Sequence, residues 1–128
     1  MPENPRSPAD HLPLTVPVFQ ILLSLADRDL HGYAIIQDIR SRTGGEVRLT
    51  ASTLYAAIKR LLAGGLIEEL DERPDPALDD ARRRYYRITP FGRNVARQEA
   101  RRLERLTLMA RDKRLLPEPA RAGERKAR

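Results

Sequence analysis

The stretch that decides the fold is LTASTLYAAIKRLLAGGLIEEL, residues 49–70. Its leucine and isoleucine side chains recur at the spacing of one helical face, and polar side chains fall on the other face. Thr50 stands where a helix N-cap is expected, and Gly64 and Gly65 supply a C-terminal stop. The pattern therefore predicts one helix with a buried and an exposed side. The apolar stripe consists of Leu54, Ile58, Leu61 and Leu62.

The exposed side of this helix carries hydroxyls, a tyrosine and two cations, but no acid. Hydroxyls and a helix N-terminus can bind phosphate oxygens, and lysine or arginine can reach guanine edges, so this surface suits DNA. The alternative is a face that only meets solvent. We interpret the helix as the element that reads DNA, with Tyr55 at the border of the apolar stripe. The candidate DNA contacts on it are Thr50, Ser52, Thr53, Tyr55, Lys59 and Arg60.

Two further helices are predicted upstream. Residues 16–26 are apolar almost all round, which is typical of a central helix. Residues 30–45 contain an amphipathic helix closed by a glycine pair, followed by a brief alternating strand at 46–49. Tyr33 opens that second helix, where it either contacts a phosphate or packs as an aromatic, and His31 is expected to order the preceding turn. Two short helices in this order fit a helix-turn-helix.

The segment after Leu66 changes to the period of a strand. Residues 66–70 and 84–88 alternate and predict a hairpin, the wing of a winged helix, with Tyr86 and Ile88 on one side of the second strand. The returning edge carries a basic run that suits phosphates or a narrow minor groove, although such runs are usually solvated surface. The run consists of Arg82, Arg83 and Arg84. The tip is acidic and should avoid DNA; its acids are Asp71, Glu72, Asp75, Asp79 and Asp80.

A long fourth helix is predicted from Thr89, as N-cap, and Pro90 to about residue 115. Small and apolar residues recur in it near heptad spacing, and such a helix would overhang a small domain unless it paired with a second copy. The alternative is packing on the first helix, which we assign instead to Phe91 and Val95. The predicted dimer interface consists of Ala96, Leu103, Leu106, Met109 and Ala110.

These elements predict a mainly α fold with a small β-hairpin wing, a winged helix-turn-helix domain plus a C-terminal dimerisation helix. We expect a disordered arm at 1–13, the DNA-binding domain at 14–88, the dimerisation helix at 89–116 and a disordered tail at 117–128. No internal repeat or second domain is expected in the 128 residues.

The composition favours a polyanionic partner and disfavours an enzyme. Twenty-four basic against 18 acidic residues give a net charge of +6, although solubility alone can explain this value. With no cysteine and two separated histidines, we expect neither metal nor cofactor. No nucleophile beside a base, paired carboxylate or phosphate loop is present. The absence of a long apolar run or secretory signal predicts a cytoplasmic protein without membrane contact.

Four segments together resemble the PadR family of bacterial transcriptional regulators: LHGYAIIQDI, TGG, LTASTLYAAIKRLLAGGLIEE and RRRYYRITPFGR. The resemblance implies a winged-helix dimer, joined by its C-terminal helices, that represses transcription from operators with two-fold character. This chain has Ala51 and Ser52 where the family often has Pro-Gly. Ser52 can still contact a phosphate, so we expect docking to be preserved, while the resemblance does not fix its register. The chain lacks the tryptophan on which some relatives stack planar drugs. An unidentified small-molecule effector between the chains is a further expectation of the resemblance.

The sequence thus predicts a homodimeric, sequence-specific regulator that represses transcription from an inverted-repeat operator in double-stranded DNA. The alternative is a winged-helix module that binds an acidic protein partner and has no preferred DNA sequence.

Overall fold

A computed structural model describes residues 7–70 and 84–119 of the chain. This part contains a short 3-10 helix, four α-helices and three strands. In chain order they are the 3-10 helix Pro8–His11, α1 Val16–Leu25, β1 Leu30–His31, α2 Gly32–Arg42, α3 Ala51–Ala63, β2 Ile67–Glu69, β3 Tyr85–Ile88 and α4 Pro90–Asp112. The mainly α architecture with a small antiparallel sheet is the predicted fold class.

Side-chain caps determine where the four α-helices begin. In each, the residue before the helix accepts the backbone N–H of the residue three positions later, which satisfies one of the unpaired donors of the first turn. Thr50 and Thr89 do so as predicted, and His31 accepts the Ala34 N–H through Nδ1 at 3.2 Å. The expectation that His31 orders this turn is confirmed. Thr15 caps α1 in the same way.

The core lies between α1, α2, α3, the sheet and the start of α4. The α1 side chains Ile21 and Leu22 are fully buried, which confirms a central first helix. On α3, the predicted stripe is buried at Leu54, Ile58 and Leu61, with Ala57 beside it, whereas Leu62 is only half-buried. Burial of this many large aliphatic side chains, at about 1.5–3 kcal/mol each, is what holds α3 on the body.

The sheet has the strand order β1-β3-β2, with antiparallel neighbours. The wing strands pair with Ile67 opposite Ile88. Tyr86 and Ile88 lie on one side of β3 as predicted, and this side is buried. The third strand was not predicted: Leu30 pairs with Tyr86 immediately before α2.

The strand predicted at residues 46–49 was wrong. This segment bends without joining the sheet. The Thr43 hydroxyl accepts the Val47 N–H at 3.0 Å, and the Arg48 side chain donates to the Gly45 carbonyl at 3.0 Å. Because that N–H donor is used locally, the segment folds back on the end of α2 and serves as a connector to α3.

Residues 7–13 are held against the body of the domain, so the expectation of a disordered arm at 1–13 is wrong for these residues. The 3-10 helix packs on α4, and the His11 ring meets Phe91 edge to face at 5.3 Å. Leu12 and Leu14 also pack against the core, which explains why the segment is held. Residues 1–6 lie outside the described residues, as do residues 120–128 of the predicted tail.

The beginning of α4 is fixed to the corner between α3 and β2. The Thr89 hydroxyl lies within hydrogen-bond distance of the Gly65 and Leu66 carbonyls, at 2.6 and 3.0 Å. Gly92 lies so close to the Leu66 carbonyl that a Cβ there would overlap it. Val95 is fully buried and Phe91 packs against the core, as predicted.

A buried carboxylate marks the point where α4 leaves the body of the domain. Glu99 is only 2% exposed and accepts two hydrogen bonds from Arg102, both at 2.8 Å. These bonds lower the pKa of Glu99, although burial acts in the opposite direction. A hydrogen bond from the backbone N–H of Leu14 lowers the pKa further. The pair therefore ties the N-terminal segment to α4.

Candidate nucleic-acid interface

The two faces of α3 differ sharply in exposure. The buried side chains that anchor it are 0 to 6% exposed, whereas Tyr55 on the opposite side is 42% exposed. The remaining polar side chains predicted to contact DNA, Ser52, Thr53, Lys59 and Arg60, are exposed together with Ala56. This face contains no acid, so it presents only hydroxyls, a phenol and cations to a partner.

Three hydroxyls cluster at the N-terminus of α3. Thr50 accepts the Thr53 N–H at 3.1 Å and donates to the Thr53 hydroxyl at 3.0 Å. The Ser52 hydroxyl lies 3.3 Å from that of Thr50. With its oxygen occupied by Thr50, the Thr53 hydroxyl can direct its own hydrogen outward to a phosphate oxygen.

Tyr33 is the second residue of α2, and the Tyr55 side chain reaches the start of the same helix from α3. The Tyr55 ring covers Gly32, where a Cβ would come within 2.9 Å of Tyr55 Cζ. Tyr55 is thus held between two helices while part of its ring stays accessible. Tyr33 is 61% exposed, so it is not a core aromatic, and contact with a phosphate remains a prediction for it.

The described part of the wing carries paired rather than free arginines. Arg84 lies 3.6 Å from Glu69, and Arg87 lies 3.2 Å from Asp29. Both pairs are solvent-exposed and weak, so Arg84 can still exchange its carboxylate for a phosphate. The predicted contacts Arg82 and Arg83 and the acidic tip, Asp71, Glu72, Asp75, Asp79 and Asp80, lie outside the described residues.

The two wing tyrosines both pack against neighbouring residues. Tyr86 is 3% exposed, and its burial together with the charge of Glu69 raises its pKa. Tyr85 meets the His31 ring edge to face at 5.2 Å. The antiparallel pairing of β1 with β3 therefore includes an aromatic contact between facing residues.

A groove of about 390 Å³ separates the N-terminus of α1 from the exposed face of α3. Sequence reasoning missed it, because nothing in the local pattern at Thr15 indicates that α1 begins beside Arg60. The threonine before Val16-Pro17 is recognisable only as a helix cap. The lining residues are Thr15, Pro17, Val18, Ser52, Thr53, Ala56, Ala57 and Arg60.

Two other features are absent from residues 7–70 and 84–119. No three histidine or acidic side chains there are grouped in a way that would hold a metal ion. No helix in the same ranges combines the length and apolar character needed to cross a membrane.

The family model of the transcriptional regulator PadR-like family matches residues 21–98, from α1 to the first half of α4. The chain belongs to this family. PadR-like proteins are DNA-binding transcription regulators and not enzymes. The match includes all of α3 and both described wing strands, so the candidate interface lies inside it.

Individual proteins are similar to this chain at 36–38% identity, and one of them is a transcriptional regulator. A transcriptional regulator of Mycobacterium tuberculosis is 38% identical over 86 residues, which are 67% of this chain and 74% of that protein. The 37.1 kDa transposon protein of Streptomyces fradiae is 38% identical over 87 residues, 68% of this chain. The match spans only 23% of the Streptomyces protein, and 64% of a further relative from Lysinibacillus sphaericus.

Solved structures share the fold. A transcriptional regulator from Clostridium thermocellum superimposes with a TM-score of 0.63 at 33% identity, over 76% of this chain and 87% of that one. Bacillus subtilis PadR in complex with operator DNA gives a TM-score of 0.56 at 21% identity, over 66% of this chain and 46% of that one. The second likeness shows the fold alone.

Proposed function

We propose that this PadR-like protein is a homodimeric repressor that binds an inverted-repeat operator, with one α3 in the major groove of each half-site. The observation that carries the proposal is the acid-free exposed face of α3, held in place by a buried opposite face. A rigid helix with cations and hydroxyls on one side is the geometry by which helix-turn-helix proteins read base edges.

Docking would divide between the two ends of α3. The hydroxyl cluster of Thr50, Ser52 and Thr53 would bind phosphates and fix the register, and Lys59, one to two turns further along, would reach the base edges. Tyr33 and Arg84 would flank this contact from α2 and the wing. The operator complex of Bacillus subtilis PadR supports the proposal, since a protein of this fold binds operator DNA.

Dimerisation would use the free half of α4. Leu103, Leu106 and Met109 are 38, 48 and 59% exposed, an unusual placement for large apolar side chains unless another surface covers them. Ala110 lies on the same side, and Ala96, nearer the body, packs partly against the core of its own chain. A two-fold dimer of this kind places two α3 helices about 34 Å apart, one turn of B-DNA, and so requires an inverted repeat.

Gel-shift titrations with the DNA upstream of the protein's own coding region test the proposal. The wild-type protein should prefer that DNA over a scrambled duplex, and Lys59→Ala should weaken the preferred complex by about 1–3 kcal/mol while changing the scrambled complex less. Equal binding of both duplexes by the wild-type protein would instead favour the protein-interaction module.

A further inference from the structure

The groove between α1 and α3 has the chemistry of a phosphate site. Among the described residues that line it, one is cationic, three bear hydroxyls and none is acidic. Arg60 reaches it from α3 and Thr15 from the cap of α1. Side chains of two separate elements thus face the same space.

Three of the first four residues of α1 offer no free backbone donor. The Val18 N–H is bonded to the Thr15 hydroxyl oxygen at 3.3 Å, the Phe19 N–H to the Thr15 carbonyl at 3.0 Å, and Pro17 has no N–H. Thr15 keeps one free capacity: its hydroxyl hydrogen, which is not needed for the cap. The donors that the groove offers are therefore mainly the side chains of Thr15 and Arg60.

The position of the groove identifies its occupant. Ser52 and Thr53 line the groove and also belong to the exposed face of α3, so a DNA strand that follows this face passes the mouth of the groove. Lys59 is not among the lining residues. The two cations of α3, which the sequence could not tell apart, hence point to different neighbours.

We propose that Arg60 and Thr15 clamp one backbone phosphate of the bound duplex in this groove, so that Arg60 positions the protein and Lys59 discriminates bases. The inference rests on the proposed function and extends the DNA contact to α1. Arginine suits this role because its planar guanidinium group donates to two phosphate oxygens at once. The threonine hydroxyl would donate a third hydrogen bond to the same phosphate. Such a contact carries no sequence information.

The first test compares the two cations on two duplexes: the one that the wild-type protein binds best from a randomised pool, and an unrelated one of equal length. Arg60→Ala should weaken both complexes by the same factor and flatten the slope of log affinity against log salt by about 1. Lys59→Ala should reduce the preference for the selected duplex by about tenfold. A loss on the selected duplex alone for Arg60→Ala would overturn the clamp.

The second test places a carboxylate in the groove. Thr15→Asp retains a good helix cap, so it should unfold at the wild-type temperature but bind both duplexes about tenfold more weakly or worse, through repulsion of the phosphate. Ser7→Asp is the matched control, since it also replaces a hydroxyl with a carboxylate at a helix start, beside α4. Equal affinities for Thr15→Asp and Ser7→Asp would overturn the clamp.

A second groove variant covers the case in which Thr15→Asp fails to fold. Pro17→Glu adds a carboxylate at a lining position in the first turn of α1, where an acidic side chain favours the helix, and outside the face of α3 proposed to read DNA. It should lose affinity as Thr15→Asp does. If Lys59→Ala loses preference while both carboxylate variants bind like Ser7→Asp, the clamp alone fails; if the wild-type protein prefers no duplex, the proposed function fails with it.

Discussion

At the scale of single residues, Gly92 sets how closely α4 can approach the end of α3. A Cβ at this position would overlap the backbone carbonyl of Leu66, and backbone cannot move aside as the tip of a side chain can. Gly92→Ala should therefore lower the free energy of unfolding by about 1–3 kcal/mol or more, despite the better helix propensity of alanine. Urea unfolding measures the change. Asn94→Ala, on the exposed side of the same helix, is the control, and an equal effect of the two would contradict the overlap.

The Glu99–Arg102 pair predicts a pH-dependent contribution to stability. Because the pKa of Glu99 is below its usual 4.5 in the folded chain, the contribution is fully present above about pH 4.5 and is lost as the pH falls through the folded value. Glu99→Gln should lower the free energy of unfolding by about 1–3 kcal/mol near pH 7. The gap between wild type and variant should shrink near pH 3. If the difference in the free energy of unfolding between wild type and Glu99→Gln does not change with pH, the ionised pair is not the cause of that difference.

The sequence predicts residues well where their role is local. Thr50 and Thr89 cap helices three positions before the N–H they bind, a relation visible in the sequence itself. Thr15 at the cap of α1 and Arg60 of α3 line one groove, and Tyr55 of α3 covers Gly32 of α2. The sequence pattern of a single helix cannot predict these arrangements, because they depend on how the helices pack against one another. The contact role of each candidate DNA-binding residue remains a prediction.

At the scale of elements, long periodic segments were predictable and minimal strands were not. The span of α3 agrees with its stripe of buried residues, and α4 begins at the predicted Pro90. The strand β1 has only two residues, too few for an alternating pattern, and its partner β3 lies more than 50 residues away. Residues 46–49 show an alternating pattern but lose the Val47 donor to the Thr43 side chain. Short strands thus form where a partner edge exists and not where alternation occurs.

The apolar side of α4 predicts that the oligomeric state depends on Leu106. Where two α4 helices pack together, a carboxylate at this position would be buried without a cation to pair with. Leu106→Glu should therefore convert a dimer into a monomer. Size-exclusion chromatography with light scattering measures this. Leu108→Glu is the matched control, because Leu108 is similarly exposed, 52% against 48%, but lies on the opposite side of α4. A dimer that persists in Leu106→Glu, or is lost equally in both variants, would contradict the packing of two α4 helices through Leu106.

At the scale of the whole molecule, the corner of Gly65, Leu66 and Thr89 joins α3, which we propose faces DNA, to α4, which we propose forms the dimer. Hydrogen bonds from Thr89 and the close approach of Gly92 leave little freedom between the end of α3 and the start of α4. The angle at which two copies cross along α4 would then fix the distance between their α3 helices. The net charge of +6 adds a general attraction to DNA, which supplies affinity but no sequence preference.

The most direct test of the account is selection of duplexes from a randomised DNA pool by the purified full-length protein, followed by sequencing. The account predicts an inverted repeat whose half-sites are centred about one helical turn, roughly 10 base pairs, apart. It also predicts that Lys59→Ala recovers a less defined repeat than the wild-type protein does. Recovery of no shared sequence, or of a single half-site without its inverted copy, would contradict the claim that two α3 helices read DNA as a symmetric pair.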